Sequence, residues 1–439
     1  MLKRIVGVFA VILVTSNFAI VNSYAAESSF KGIVDVRAVS VSGEKANQSY
    51  LVGDYGKFRY GEGSQLALDQ LGLQYHLNWQ NNWSLNVIAN GFVDDYDTTF
   101  GVTEAYAQYK GLPNSAGWRM QAKVGLYYPH ISLENVATAW STPYTLTSSA
   151  INNWLGEEFR STGINFKIEK LGRFSGSNQN FSFDIDLFRN NDTAGAMLTW
   201  HGWTVGSRQT LFGETLVLQD FPARDGMLAA QAGNSDPFLE LDNRWGLNTN
   251  AQWHYGKDLK VSMGYYNNFA ERGIVVNGQY TWTTSFLHGG VKYKFADGWE
   301  LIGQFMQGNT LMTSPTLIKV VDNDFDSQFV MVRHFWNDHH LALRLERFAV
   351  DDLDQTVGDN NDETGSALAL AYRYRLNRQT FIVAEYTMVS SDRPSRGYLS
   401  DADSYEPMTM QTGYYGNDYQ KSIVDLTEHQ YQIAVRYYF

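Results

Sequence analysis

Counting back from Phe439, every second residue is apolar or aromatic: Tyr437, Val435, Ile433 and Tyr431. Between them stand Arg436, Ala434, Gln432 and Gln430, with Tyr438 the one exception. Successive side chains of a strand point to opposite faces, so this end is a strand with one greasy and one largely polar face. The same alternation recurs upstream. Leu66–Gln80 puts Leu71, Leu73, Tyr75, Leu77 and Trp79 on one face and Gln74, His76 and Asn78 on the other, and Asn81-Asn82 then turns the chain into Trp83–Val93. Further hairpins run from Ala251 to Phe269 around Gly256-Lys257-Asp258, from Phe286 to Phe305 around Asp297-Gly298, and from Leu368 to Met388 around Asn377-Arg378. Short turns rich in Asn, Asp and Gly are what tight antiparallel hairpins require.

The other connections differ in kind. Gly43–Gly63, Pro129–Glu158, Phe221–Asn243, Val350–Thr364 and Ser390–Thr427 are long and polar. Short turns at one end and long loops at the other is the layout of a transmembrane antiparallel β-barrel, with the turns in the periplasm and the loops outside. The fold class is therefore all-β, with about 16–18 strands. The count depends on Ala194–Leu218, whose pattern is ambiguous. Lys292 and Lys294, Arg373 and Arg375, and Arg344 and Glu346 alternate with apolar neighbours. A cation facing lipid at the midplane costs about 2–4 kcal/mol, so these residues should face the lumen.

Composition sharpens this reading. Lys3 and Arg4, the apolar run Ile5–Val14 and the small residues Ser23, Ala25 and Ala26 form a signal peptide pattern over 1–25, leaving 26–439 as the barrel. No later apolar stretch reaches the length of a spanning helix. Tyr (27), Phe (25) and Trp (12) are abundant and Pro (8) is scarce, as suits strands with aromatic girdles. With no cysteine, a closed sheet with paired backbone groups takes the place of disulfides. A formal charge of −12 argues against nucleic acid as a partner.

With its alternating final strand and terminal Phe, the whole mature chain resembles Gram-negative outer-membrane porins. In that family such an end is the signal read by the barrel-assembly machinery, here Tyr431, Ile433, Val435, Tyr437 and Phe439. The segment Lys123–Gly163 resembles the phosphate-selective porin O and P type at Gly125, Pro129, Ser132, Leu133, Glu134, Arg160 and Gly163. The resemblance implies a water-filled channel in the cell outer membrane for passive diffusion of small hydrophilic solutes, arranged as a homotrimer among outer-membrane lipid and lipopolysaccharide.

A wide barrel needs something to narrow it. Pro129–Glu158 is the candidate, an inward loop bearing Trp140, Tyr144 and Trp154 beside hydroxyl residues, a stacking track for sugars or other neutral solutes. Glu157 and Glu158 close the loop and belong to the expected constriction, and Glu134 or Glu157 facing wall Arg119, Lys123 or Arg160 would set a transverse field across the eyelet. The acidic loops suggest a mild cation preference. The acidic stretch Asp351–Gly365 lacks the spacing of a calcium-binding loop and reads as a solvated loop bridged by divalent cations to lipopolysaccharide. His339-His340 reads as a turn with no third ligand, so no metal site and no cofactor is expected. No catalytic motif is visible. Two other readings stay open: an outer-membrane hydrolase or protease with Ser or Asp beside His on adjacent strands, and a structural or docking barrel that binds a partner through its loops.

Overall fold

The computed structural model describes residues 27–43, 48–79, 82–94, 97–354, 356, 358–393 and 424–439. The expected signal segment 1–25 and most of the last long loop lie outside these residues. Sixteen antiparallel strands close into one barrel. They are β1 (Glu27–Gly43), β2 (Gly63–Trp79), β3 (Trp83–Val93), β4 (Thr98–Lys110), β5 (Trp118–Tyr127), β6 (Ser161–Lys170), β7 (Gln179–Phe188) and β8 (Gly246–Tyr255). The second half comprises β9 (Leu259–Asn267), β10 (Trp282–Ala296), β11 (Trp299–Thr313), β12 (Lys319–Trp336), β13 (His339–Asp352), β14 (Glu363–Arg375), β15 (Thr380–Arg393) and β16 (Val424–Tyr438). The ambiguous region 194–218 adds no barrel strand. It holds a short helix, α2 (Ala196–His201), inside the long connection 189–245.

Closure is made by β16 against β1, in register from Ile33↔Tyr438 to Gly43↔Glu428. Gly32 and Phe439 exchange backbone hydrogen bonds of 3.0 and 3.2 Å. The Phe439 ring occupies the space that a side chain at Gly32 would need, so the terminal aromatic seals the seam. A closed sheet leaves no unpaired edge in the bilayer.

Faces follow the alternation. Leu341, Leu343 and Leu345 of β13 and Tyr431, Ile433, Val435 and Tyr437 of β16 are exposed on the outside, where they form part of an apolar belt. Arg344, Glu346, Glu385, Gln432 and Arg436 point inward and are buried. This belt and the closed sheet place the chain in an outer membrane. Two bulges re-aim side chains: Asp69 is the extra residue where β2 meets β1, and Thr103 is the extra residue where β4 meets β3. Asp69 and Gln70 are consequently both buried in the lumen. The main apolar core also lies inside the barrel, in its outer half, and includes Trp154, Phe159, Trp203, Tyr266, Phe286, Phe325 and Phe348.

Candidate functional site: a filled outer lumen above a basic vestibule

Between β5 and β6 the chain turns into the barrel instead of out into solvent. Its two flanking strands meet at Gly125↔Gly163. A Cβ on Gly125 would lie 2.2 Å from the Ala105 carbonyl and one on Gly163 2.0 Å from that of Leu187, so glycine permits this close packing at the loop's base. Ser132 Oγ accepts from the Glu134 and Asn135 amides (3.2 and 2.8 Å) and bends the chain. Glu134 then bonds Arg344 across the lumen (2.5 Å) and accepts from the Ser149 amide (2.9 Å) and Asn152 Nδ2 (2.9 Å).

Ser149 caps helix α1 (Ala150–Glu158), and Glu346 accepts from the Ala150 amide at 2.8 Å. Two carboxylates thus face the positive end of the helix dipole. Glu385 fixes the preceding turn through the Leu146 and Thr147 amides (2.5 and 3.0 Å). All nine residues of α1 are buried. Trp154 packs edge-on against Phe159, Trp203 and Phe325 with ring centroids 4.7, 5.5 and 5.0 Å away.

Other long connections complete the filling. Glu158 accepts from the Gly195 and Met197 amides beside α2 (3.0 and 3.2 Å) and from Trp154 Nε1 (2.6 Å). Burial nevertheless pushes its carboxyl up to about 7. Glu157 lies 3.3 Å from His201, both buried. Lys57 bonds Glu363 (2.5 Å) and the Trp203 carbonyl (2.8 Å). On the β1–β3 side runs a buried ionic chain: Arg37 with Asp35 and Asp69, Arg59 with Asp69, and Arg208 with Asp94.

Below this filling, toward the short turns, the wall opens into a cavity of about 460 Å³. Its lining includes His254, Lys257, Lys260, Lys292, Lys294, Arg333 and His340, with Glu300 and Asp258 the acidic members. Glu300 pairs with Arg333 and lies 3.4 Å from Lys292, so most of the positive charge stays uncompensated. The tip of the inward loop rests on this wall. Lys292 Nζ donates to Tyr144 Oη (2.8 Å), Arg333 stacks 4.1 Å from the Tyr144 ring, and Arg373 donates to the Pro143 carbonyl (2.7 Å). Arg436 donates to the carbonyls of Thr142 (2.7 Å) and Thr145 (3.0 Å).

Several expectations change at this point. The inward loop is where the sequence put it, but Trp154, Glu157, Glu158 and Arg160 lie inside the packed filling and line no aqueous eyelet. Apolar packing of α1 and desolvation of its polar ends put them there. Arg160 sits 3.3 Å from the Tyr128 ring and donates to the Phe159 and Thr210 carbonyls (2.7 and 3.1 Å). The opposition of Glu134 or Glu157 to Arg119, Lys123 or Arg160 is absent. Glu134 pairs with Arg344 instead, and Arg119 pairs with Glu169 on the neighbouring strand (2.5 Å). Lys123 faces the lumen over the Tyr106 and Tyr127 rings, with Nζ 3.2 Å from His130 Nε2. Trp140 stacks on Tyr128 at 3.9 Å, and of the three predicted aromatics of the loop Tyr144 is the one that reaches the vestibule wall.

The lining of this cavity is basic, whereas the acidic loops had suggested a mild cation preference. The sequence pattern shows Lys292 with Lys294 and Arg373 with Arg375 as inward pairs on their own strands, and does not single out Lys260 and Arg333. All lie close to short turns on inward positions, a signal that was available. His339 begins β13, bonded to Tyr372 Oη (2.7 Å), while His340 turns into the vestibule. At the loop 353–362 carboxylates accept from local amides: Asp354 Oδ1 from that of Thr356 (2.8 Å) and Asp352 Oδ2, at the end of β13, from that of Asn361 (2.9 Å). Among the described residues the one carboxylate trio with ligand atoms within 4.8 Å is Asp192, Glu240 and Asp242, at the base of the connection 189–245. Of the histidines, His130 stands between Asp184 (3.2 Å) and Lys123, with a carboxylate and a cation as partners and no hydroxyl nucleophile.

No protein-family model and no curated protein matches the chain. Solved structures do. It is similar to the outer membrane channel DcaP of Acinetobacter baumannii at 10% identity, over 95% of this chain and 99% of that one, with a TM-score of 0.53. It is also similar to an anion-selective porin from Comamonas acidovorans at 12% identity, over 94% and 100% of the two chains, with a TM-score of 0.50. The fold is that of a porin. At such identities the likeness speaks for architecture alone, and the porin-like barrel is what it establishes.

Proposed function

We propose that the protein is an outer-membrane diffusion channel for small hydrophilic solutes, gated by the loop 129–158 and favouring anions over cations. The observation that carries this reading is the basic vestibule beneath the loop: Lys260, Lys292, Lys294 and Arg333 line one cavity whose acidic members are Glu300 and Asp258. A lumen lined by one sign of charge concentrates the opposite ion. Neutral sugars remain a compatible second cargo. Selectivity is tested by the zero-current potential across a planar bilayer under a KCl gradient. A potential set by chloride supports the reading, and one set by potassium overturns the anion part.

The resemblance to phosphate-selective porins agrees with this charge. In this chain its matching residues build the inward loop: Gly125 and Gly163 at the base, Ser132 at the bend, Glu134 and Arg160 as inner braces. The row Tyr431, Ile433, Val435, Tyr437 and Phe439 faces outward along the seam, accessible to an assembly machinery and to lipid. Trimeric assembly and lipopolysaccharide contact belong to the same reading, and native mass measurement in detergent tests the first.

A docking or structural barrel is the second reading, favoured by the filled outer half of the lumen. A barrel that stays electrically silent even after the inward loop is shortened would support it.

A further inference from the structure

We propose that a compact multivalent oxyanion, a phosphate or a polycarboxylate, binds in the vestibule from the periplasmic side and thereby releases the tip of the inward loop. The inference rests on the reading of that loop as the gate. It starts from a double use of the same cations. Lys292 and Arg333 line the vestibule, and both also hold Tyr144, one through its hydroxyl and one through its ring.

The tip offers them only dipoles and a π-face. From Asn135 to Gly156 the loop carries no carboxylate. A phenol and a ring face meet Lys292 and Arg333 with a dipole and a quadrupole, whereas an oxyanion adds the attraction of a full opposite charge to its hydrogen bonds, so an oxyanion that reaches both cations outcompetes them. The anion gains these two partners fully only when Tyr144 has left. That difference between the two states is what allows a ligand to shift the equilibrium.

Neighbouring groups favour the exchange. Lys260 and Lys294 have no ion-pair partner among the described residues and flank Lys292 in the same cavity. Arg373, which holds the Pro143 carbonyl, keeps a buried Nε with no hydrogen-bond partner, a spare donor beside the tip. The deeper anchors are of another kind. Arg344 meets Glu134 and Glu346, and Glu385 holds two amides, all away from the vestibule. Arg436, buried and outside the vestibule lining, keeps the Thr142 and Thr145 carbonyls, so release would concern the Pro143-Tyr144 apex and leave α1 seated.

The test uses the full-length barrel in planar bilayers at constant ionic strength. Citrate or tripolyphosphate replaces part of the chloride on one side at a time. The expected result is a saturable, several-fold rise in conductance when either anion is on the vestibule side, and none from the loop side. A response to one anion alone supports the proposal and assigns its class. Tyr144→Phe, a conservative change that removes the Lys292 hydrogen bond, should conduct more before any addition and respond less.

A fall in conductance or no change, with either anion and from either side, overturns the coupling. A variant with residues 136–146 replaced by a Gly-Ser linker separates this failure from that of the channel reading. If it conducts while the natural chain ignores both anions, only the coupling is wrong. If it does not conduct, the channel reading falls and the coupling with it.

Discussion

The two halves of the lumen are built on opposite principles. In the outer half, inward side chains such as Phe286, Phe325 and Phe348 meet the aromatics of α1 and the segment after α2, and ionic groups are paired inside the packing. In the inner half the same strands bring Lys260, Lys292, Lys294 and Arg333 to one cavity, where Glu300 pairs with Arg333 and lies near Lys292, while Lys260 and Lys294 have no ion-pair partner among the described residues. Strand alternation fixes which side chains point inward, and the chain's excursions into the barrel decide which of those become core. Desolvated charges are tolerated where a partner is fixed by a second segment, and accumulate unpaired where solvent remains.

The sharpest way to break this division is Arg344→Leu, which strands Glu134 and Glu346 in the packing. Breaking a buried ionic pair in this way costs about 3–5 kcal/mol. Urea unfolding in detergent micelles should show that loss, with a looser inward loop reported by raised conductance. Trp154→Ala comes next. It empties the centre of the aromatic cluster at a cost of about 3–5 kcal/mol, lowered by whatever collapse the cluster allows. The mechanism is chiefly a cavity, but Trp154 Nε1 also donates to Glu158 and favours its charged form, so the loss should be somewhat larger above about pH 7 than below it.

A third expectation concerns pH. Burial raises the Glu158 carboxyl from an ordinary 4.5 to about 7, and raises Asp359 of the loop 353–362 from 3.8 to about 7, with Asp354 adding to the effect. The folded filling binds these protons more tightly than an unfolded chain does. The stabilisation they give is complete below the unfolded values and is lost as pH rises through about 7. Conductance measured from pH 5 to pH 8 should therefore increase, and Glu158→Gln should flatten part of that slope. The smallest effect is expected in the other half. Lys260→Gln should leave unfolding nearly unchanged and move the zero-current potential slightly toward that of cations.

How much of this was legible in the chain depends on the distance over which each feature is decided. Strands and their faces are local, so Leu71 to Trp79 and Tyr431 to Phe439 reveal them directly. The bulged Asp69 and Thr103 are decided by pairing with another strand, and nothing in their neighbours announces them. Region 194–218 carries one short helical turn flanked by Gly195 and Gly202, too little for a periodic signal. The inward loop could be located, but its partners could not: Glu134 and Arg344 are 210 residues apart. Without knowing that Arg344 waits across the lumen, a sequence reader pairs Glu134 with nearby Arg119 or Arg160. The vestibule was legible in part, because its cations sit on inward positions beside successive short turns.

The central claim is that the loop 129–158 closes a conducting barrel over a basic vestibule. Single-channel recording of the natural chain beside the 136–146 linker variant tests it most directly. Large, stable, chloride-favouring steps from the variant, and smaller or intermittent ones from the natural chain, are the predicted result. Equal conductance from both, or silence from both, would contradict it.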